Sequence, residues 1–208
     1  MLNQPRRPPS SYTTNTGDVY KTTGNTIGAQ QQTNVPVEGT GFVFSHIPIK
    51  RITTGKITAG DIAAWIISFC NERGDPVTNL KLQRLLYYAQ AWHLALRGRR
   101  LFKDDFQAWA NGPIQPNVYA AYHRFSFAPI GFVPEKPMLP KALEEFLKDV
   151  LRAYGHLSAF DLESLSCSEL PWSQARSGLA PDAPSHRIID TALMQSFYRS
   201  RLNEQAKG

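Results

Sequence analysis

Val77-Thr78-Asn79-Leu80-Lys81-Leu82-Gln83-Arg84-Leu85-Leu86-Tyr87-Tyr88-Ala89-Gln90-Ala91-Trp92-His93-Leu94 is the stretch on which the fold turns. Leu82, Leu85, Leu86, Ala89, His93 and Leu96 recur at i, i+3, i+4 and i+7, the spacing that lines one face of an α-helix. A second stripe, Gln83, Tyr87, Gln90 and Leu94, lies about a quarter turn away. The remaining face carries Ala91 and Ala95, small enough for another helix to approach closely. A helix with three packable faces must be surrounded, so residues 79–97 are predicted to form a central helix. Gly98 stops it.

Working outward, Thr58 and Asp61 have the spacing of a capping box, in which each side chain satisfies a free backbone N–H of the other's end of the turn. The helix they open places Ile62, Trp65, Ile66 and Phe69 on one face, and Gly74-Asp75-Pro76 ends it. Beyond Gly98, residues 101–110 alternate loosely around Phe102, Phe106 and Trp109 and meet the turn signal Asn111-Gly112-Pro113, which predicts a short extended segment. Pro116 opens a brief helix with Val118, Tyr119 and Tyr122. Residues 128–137 show no helical period. Pro140 stands where a first-turn proline is tolerated, and Leu143, Phe146, Leu147, Val150, Leu151 and Tyr154 form an amphipathic stripe closed by Gly155. Ser158 with Asp161 makes another capping box, Ser168 is expected to cap a further helix through Pro171 and Trp172, and a final helix is expected from about Ser185 with Ile189, Leu193, Phe197 and Tyr198 inward. The fold class is therefore all-α: a compact bundle of six to seven helices with at most a small extended or β segment.

The 208 residues suffice for one domain and a tail. Residues 1–54 are rich in Thr, Asn, Gln, Gly and Pro and poor in aliphatic side chains. Such a segment cannot bury enough apolar surface to offset its chain entropy, so a disordered or partner-ordered arm is expected over 1–54 and a folded domain over 55–208. The apolar island Gly41 to Ile49, with Phe42, Phe44 and Ile47, reads equally as a clip on the domain or as a segment ordered by a partner. Charge divides evenly: residues 1–52 hold five Lys/Arg against two Asp/Glu, and residues 53–208 hold eighteen against fifteen, within a net charge of +6. A net cationic chain invites nucleic acid, but in the folded part acids interleave with the basic residues and the dense group Arg97, Arg99, Arg100 reads as a solvated turn. Nucleic acid is disfavoured as a partner.

No apolar run approaches the roughly 20 residues that span a bilayer, and Arg6 and Arg7 precede no signal-peptide core. A soluble, cytoplasmic protein with no membrane partner is expected. Cys70 and Cys167 sit among apolar residues on predicted helices, as free thiols in a reducing compartment would. No phosphate-binding glycine loop, Cys-x-x-Cys pair, zinc-binding His-Glu-x-x-His or Gly-x-Ser-x-Gly elbow is present. The five histidines are at least thirty residues apart in sequence, and His93 reads as a hydrogen-bonded core residue. Glu144 and Glu145 lie in the first turn of a helix, where negative charge is stabilised structurally. No catalytic, metal or cofactor site is expected. Aromatic-rich helices without a polar site point to protein binding.

The opening stretch resembles the signature helix of the Panacea domain, and other features follow in the family's order. They are Leu101-Phe102, Phe106-Gln107-Ala108-Trp109, Asn111-Gly112-Pro113-Ile114, Pro116, Val118-Tyr119, then Leu157-Ser158, Ser168-Glu169, Pro171-Trp172 and Ala175-Arg176. The resemblance covers about 58–200 and leaves out the arm. It implies a Panacea (SocA-like) antitoxin, not an enzyme, that neutralises a cognate toxin by direct protein contact and is commonly encoded beside it. Family partners are of unrelated types, small alarmone synthetases among them. Some members are adaptors that deliver a toxin to a ClpXP-type protease, which is one alternative; a nucleic-acid-binding transcriptional regulator is the other.

The matched residues Leu82, Gln83, Leu85, Leu86, Tyr87, Gln90, Trp92, Gly112, Pro113 and Trp172 read as scaffold. On the helical wheel Lys81, Arg84 and Tyr88 fall away from the main stripe and are expected to flank a binding surface. Trp109 joins them, together with Phe42, Phe44 and Ile47 of the arm.

Overall fold

The computed structural model describes residues 57–132 and 134–205. The arm, with Phe42, Phe44 and Ile47, lies outside the described residues. Helix α1 (Ala59–Asn71) starts where expected: Thr58 Oγ1 accepts the Asp61 N–H at 3.1 Å while the Asp61 carboxylate accepts the Thr58 N–H at 2.8 Å. Helix α2 (Asn79–Arg97) is capped by Thr78 Oγ1, which accepts the Lys81 N–H at 3.2 Å. It ends at Gly98, whose φ of +70° is the left-handed conformation that glycine adopts without a Cβ clash.

Two three-residue strands follow, β1 (Gln107–Trp109) and β2 (Gly112–Ile114), paired antiparallel with Gln107 opposite Ile114. Helix α3 (Pro116–Tyr122) opens on its proline and runs into a 3-10 turn at His123–Phe125. Helix α4 (Lys141–Tyr154) buries Leu143, Phe146, Leu147, Val150 and Tyr154, five of the six stripe residues. Helix α5 (Ala159–Ser168) carries the second capping box, Ser158 with Asp161. Helices α6 (Leu170–Ala175) and α7 (Thr191–Gln205) complete the bundle, seven α-helices and one two-stranded sheet among the described residues.

Helix α2 is the axis of this unit. Helices α1, α3, α4, α5 and α7 and strand β2 all pack against it, and from Leu82 to Ala95 every residue is buried. Each fully buried Leu on such a helix contributes about 1.5–3 kcal/mol of apolar transfer, and α2 carries Leu82, Leu85 and Leu86 in that state. The small face serves as expected: Arg199 of α7 reaches across to donate its Nε–H to the Ala95 carbonyl at 3.2 Å.

Three local expectations are corrected. Ser168 does not cap α6. It is the last residue of α5, its hydroxyl returns to the Leu165 carbonyl at 2.8 Å, and Glu169 takes the cap position without a side-chain bond to the helix. The final helix starts at Thr191, not Ser185, because the residues before it join the sheet: Ala108 N–H donates to Arg187 O at 2.8 Å and Ile189 N–H to Phe106 O at 2.9 Å. Its inward face is also rotated from the expected one. Met194 and Tyr198 are fully buried while Leu193 and Phe197 are partly exposed.

Candidate protein-docking site

Gln83, Arg84 and Gln90 of α2 bond the domain's own backbone. Gln90 Oε1 accepts the N–H groups of Leu101 at 2.8 Å and Phe102 at 3.3 Å, and its Nε2 donates to Phe102 O at 3.1 Å. Gln83 Oε1 accepts the Gln115 N–H at 2.9 Å, and Gln83 Nε2 donates to Asn79 Oδ1 at 3.1 Å, whose own Nδ2 donates to Tyr119 O. Arg84 donates to the carbonyls of Pro113, at 3.0 Å, and Asn111, and pairs with Glu163 at 3.4 Å. Buried amides and charges persist only when so satisfied. Three side chains thus hold the loop after α2 and the whole β1–β2 turn.

Arg84 and Tyr88, expected at a binding surface, are buried completely, both at 0% exposure. The wheel placed them off the main stripe correctly, but α2 has no solvent face there: the hairpin and α5 cover Arg84, and Tyr88 stacks on Tyr154 of α4 with ring centres 4.0 Å apart. Lys81, one turn nearer the N-terminus, stays partly exposed, as does Trp109. Trp109 is tied into the hairpin end, donating Nε1–H to Gln107 Oε1 at 2.8 Å and accepting Trp172 Nε1–H on its carbonyl at 3.0 Å. Of the scaffold residues, Leu82, Gln83, Leu85, Leu86, Tyr87, Gln90 and Trp92 are buried with Gly112 and Pro113, and Trp172 is partly so.

A buried carboxyl went unnoticed in the sequence. Glu169, 2% exposed, accepts a hydrogen bond from the Tyr198 hydroxyl at the centre of a cluster with Tyr87, Tyr88 and Tyr154. Burial pushes its pKa up from 4.5 to about 7, against the Tyr198 hydrogen bond and Arg201. No periodicity marks a glutamate between two short helices as internal. His93 Nδ1 lies 2.8 Å from the Arg99 carbonyl, and burial lowers its pKa to about 4. Burial likewise raises both cysteine thiols to about 11, which leaves them poor nucleophiles. Among the described residues no group of three or more His, Cys, Asp or Glu is placed to hold a metal, and no helix is long and apolar enough to cross a membrane.

Among the described residues a groove of about 530 Å³ lies where the end of α1, the start of α2 and the end of α4 meet. Phe69, Cys70, Val77, Leu85 and Leu151 form its apolar lining; Arg73, Lys81, Lys148 and Arg152 stand around it, with Asp75 and His156. Arg73 is held in place, its guanidinium 3.4 Å from the Phe69 ring centre and its NH1 on the Phe69 carbonyl at 3.2 Å. The other face of that ring stacks on Trp65 at 4.8 Å. Lys148 pairs with Glu145, and Arg152 with Asp149, along the helix surface. Of the described residues expected to bind a partner, Lys81 lines this groove, and Arg84, Tyr88 and Trp109 do not.

Residues 82–173, from the first buried leucine of α2 to α6, match the family model described as Antitoxin SocA-like, Panacea domain. Antitoxin SocA of Caulobacter vibrioides (strain NA1000 / CB15N) is 29% identical over 137 residues, covering 59% of this chain and 72% of that protein. No solved structure matches the chain. The matched span contains α2 with its glutamine and arginine clamps, the hairpin they hold, and the buried Glu169, and over those residues the chain is similar to the Panacea, or SocA-like, antitoxin family.

Proposed function

We propose that this protein neutralises a cognate toxin by direct protein–protein contact. The observation that carries the reading is the place of the family match. Within the matched span Gln83, Arg84 and Gln90 are spent on the fold itself, which leaves the exposed faces to select the partner. A protein whose distinctive side chains support a frame and whose surface offers an apolar groove is suited to binding rather than to chemistry on a small molecule.

The test is to express the protein encoded beside this one with and without this chain, scoring growth and co-purification together. Rescue of growth with a stable complex is the expected result. Rescue that disappears when a Clp-type protease is deleted would instead make the chain a delivery adaptor. No toxicity and no complex would defeat the antitoxin reading.

A further inference from the structure

We propose that the groove between α1, α2 and α4 is the docking site for an acidic, apolar-anchored protein segment of the toxin; this rests on the antitoxin reading above. The groove's lining suits an aliphatic or aromatic side chain, since Val77, Leu85 and Leu151 are apolar side chains that line it. Around it four cations face one carboxylate, Asp75, among the side chains that line it. Ion pairs such as Lys148 with Glu145, both partly exposed, are weak and exchange readily for a better carboxylate partner.

The position of Lys81 is the second observation. Thr78, Thr58 and Ser158 each cap a helix with the side-chain oxygen on the N–H three residues on. In α1 and α5 that third residue is an aspartate, which closes a reciprocal capping box; in α2 it is Lys81. A cation in the first turn opposes the helix dipole and forfeits the reciprocal bond. A lysine that is unfavourable for its own helix, set at a groove with three other cations, is what recognition of an anionic partner requires. The helix dipole adds to the same positive field.

The occupant is a toxin segment and not a second copy, because a second copy would bring a net charge of +6 to a groove already ringed by four cations; groove variants that change toxin binding in the full-length chain but not in one starting at Gly55 would make the arm the occupant and overturn the proposal. Nucleic acid fits less well, since a phosphate backbone has no use for an apolar lining.

The full-length chain is tested as Lys81→Glu/Lys148→Glu beside a charge-matched control, Lys103→Glu/Lys141→Glu, whose exposed lysines lie off the groove. Each is titrated by calorimetry with the toxin encoded beside it and scored for growth rescue. Binding by the groove variant is expected to weaken at least about tenfold, from like-charge repulsion at the rim. The control should stay within about twofold of the native chain, and neither variant should melt earlier. Equal binding by all three would overturn the groove while leaving the antitoxin reading intact. Failure of the native chain to bind or rescue would overturn both. A promoter-DNA shift that weakens steeply with salt and is lost only in the groove variant would make the groove a phosphate site and overturn the proposal.

Discussion

The guanidinium of Arg84 fills the space that a side chain at Gly112 would need. A Cβ at position 112 would lie 2.9 Å from Arg84 Cζ, and Gly112 has φ of +105°, where L-residues are strained. The arginine of the central helix and the glycine of the hairpin turn are therefore one structural unit separated by 28 positions in sequence.

Gly112→Ala should destabilise the fold by about 2–4 kcal/mol, combining backbone strain with overpacking. Arg84→Ala should cost about 3–5 kcal/mol, by leaving the carbonyls of Asn111 and Pro113 and the Glu163 carboxylate without their donor. In the double variant the clash is absent, so the effects should sum to less than their total. Chemical denaturation of the four proteins measures the coupling; strict additivity would show that the contact is not shared. Arg84→Lys should rescue little, since an ammonium cannot span the two carbonyls and the carboxylate in one plane.

Two buried groups should impose opposite pH slopes on stability. Glu169 has a folded pKa of about 7 against 4.5 unfolded, so its contribution is fully present below pH 4.5 and is lost as pH rises through 7. His93 has a folded pKa of about 4 against 6.5 unfolded, so its contribution is present above pH 6.5 and is lost as pH falls through 4. Each amounts to roughly 3 kcal/mol over its window, and in the native chain they largely offset one another between pH 4.5 and 6.5. Glu169→Gln should expose the histidine slope, with melting temperature falling steadily from pH 6.5 to 4. Thermal melts across that range check it, and a variant profile parallel to the native one would count against the assignment of the slope to Glu169.

Lys81→Glu alone should raise stability by about 0.5–1 kcal/mol, because the new carboxylate can accept the Thr78 N–H and complete the capping box found at Thr58 and Ser158. The same change should weaken toxin binding. A variant that melts later yet binds worse would separate the two roles of the residue; a variant that melts earlier would refute the capping account.

Residues 55–208 should fold without the arm. The first helix caps itself through Thr58 and Asp61, and Ala59 N–H is bonded to Asp104 Oδ2 at 3.1 Å within the same unit. A chain starting at Gly55 is expected to show a single cooperative melt within a few degrees of the full-length protein. Loss of that transition would mean that the arm supplies part of the core.

By itself the sequence determined the elements and the identity of the central helix. Local rules suffice for these: a capping box needs residues three apart, a helix stop needs Gly98, an amphipathic stripe is read from Leu82 to Leu96, and the small Ala91 and Ala95 signal a neighbour before the neighbour is known. Only the tertiary structure decided what the polar residues of that helix do. A wheel shows the direction in which Arg84 or Tyr88 points but not whether protein or water waits there, and in both cases protein does. Residues 185–190 read as the start of a helix until Phe106 and Ala108 are seen to pair with them. Glu169 is internal because α7 brings Tyr198 to it across 29 residues of chain, and Lys81 borders a groove because α1 and α4 end beside it. Each of these depends on contacts between segments distant in sequence, which periodicity along a single segment cannot encode.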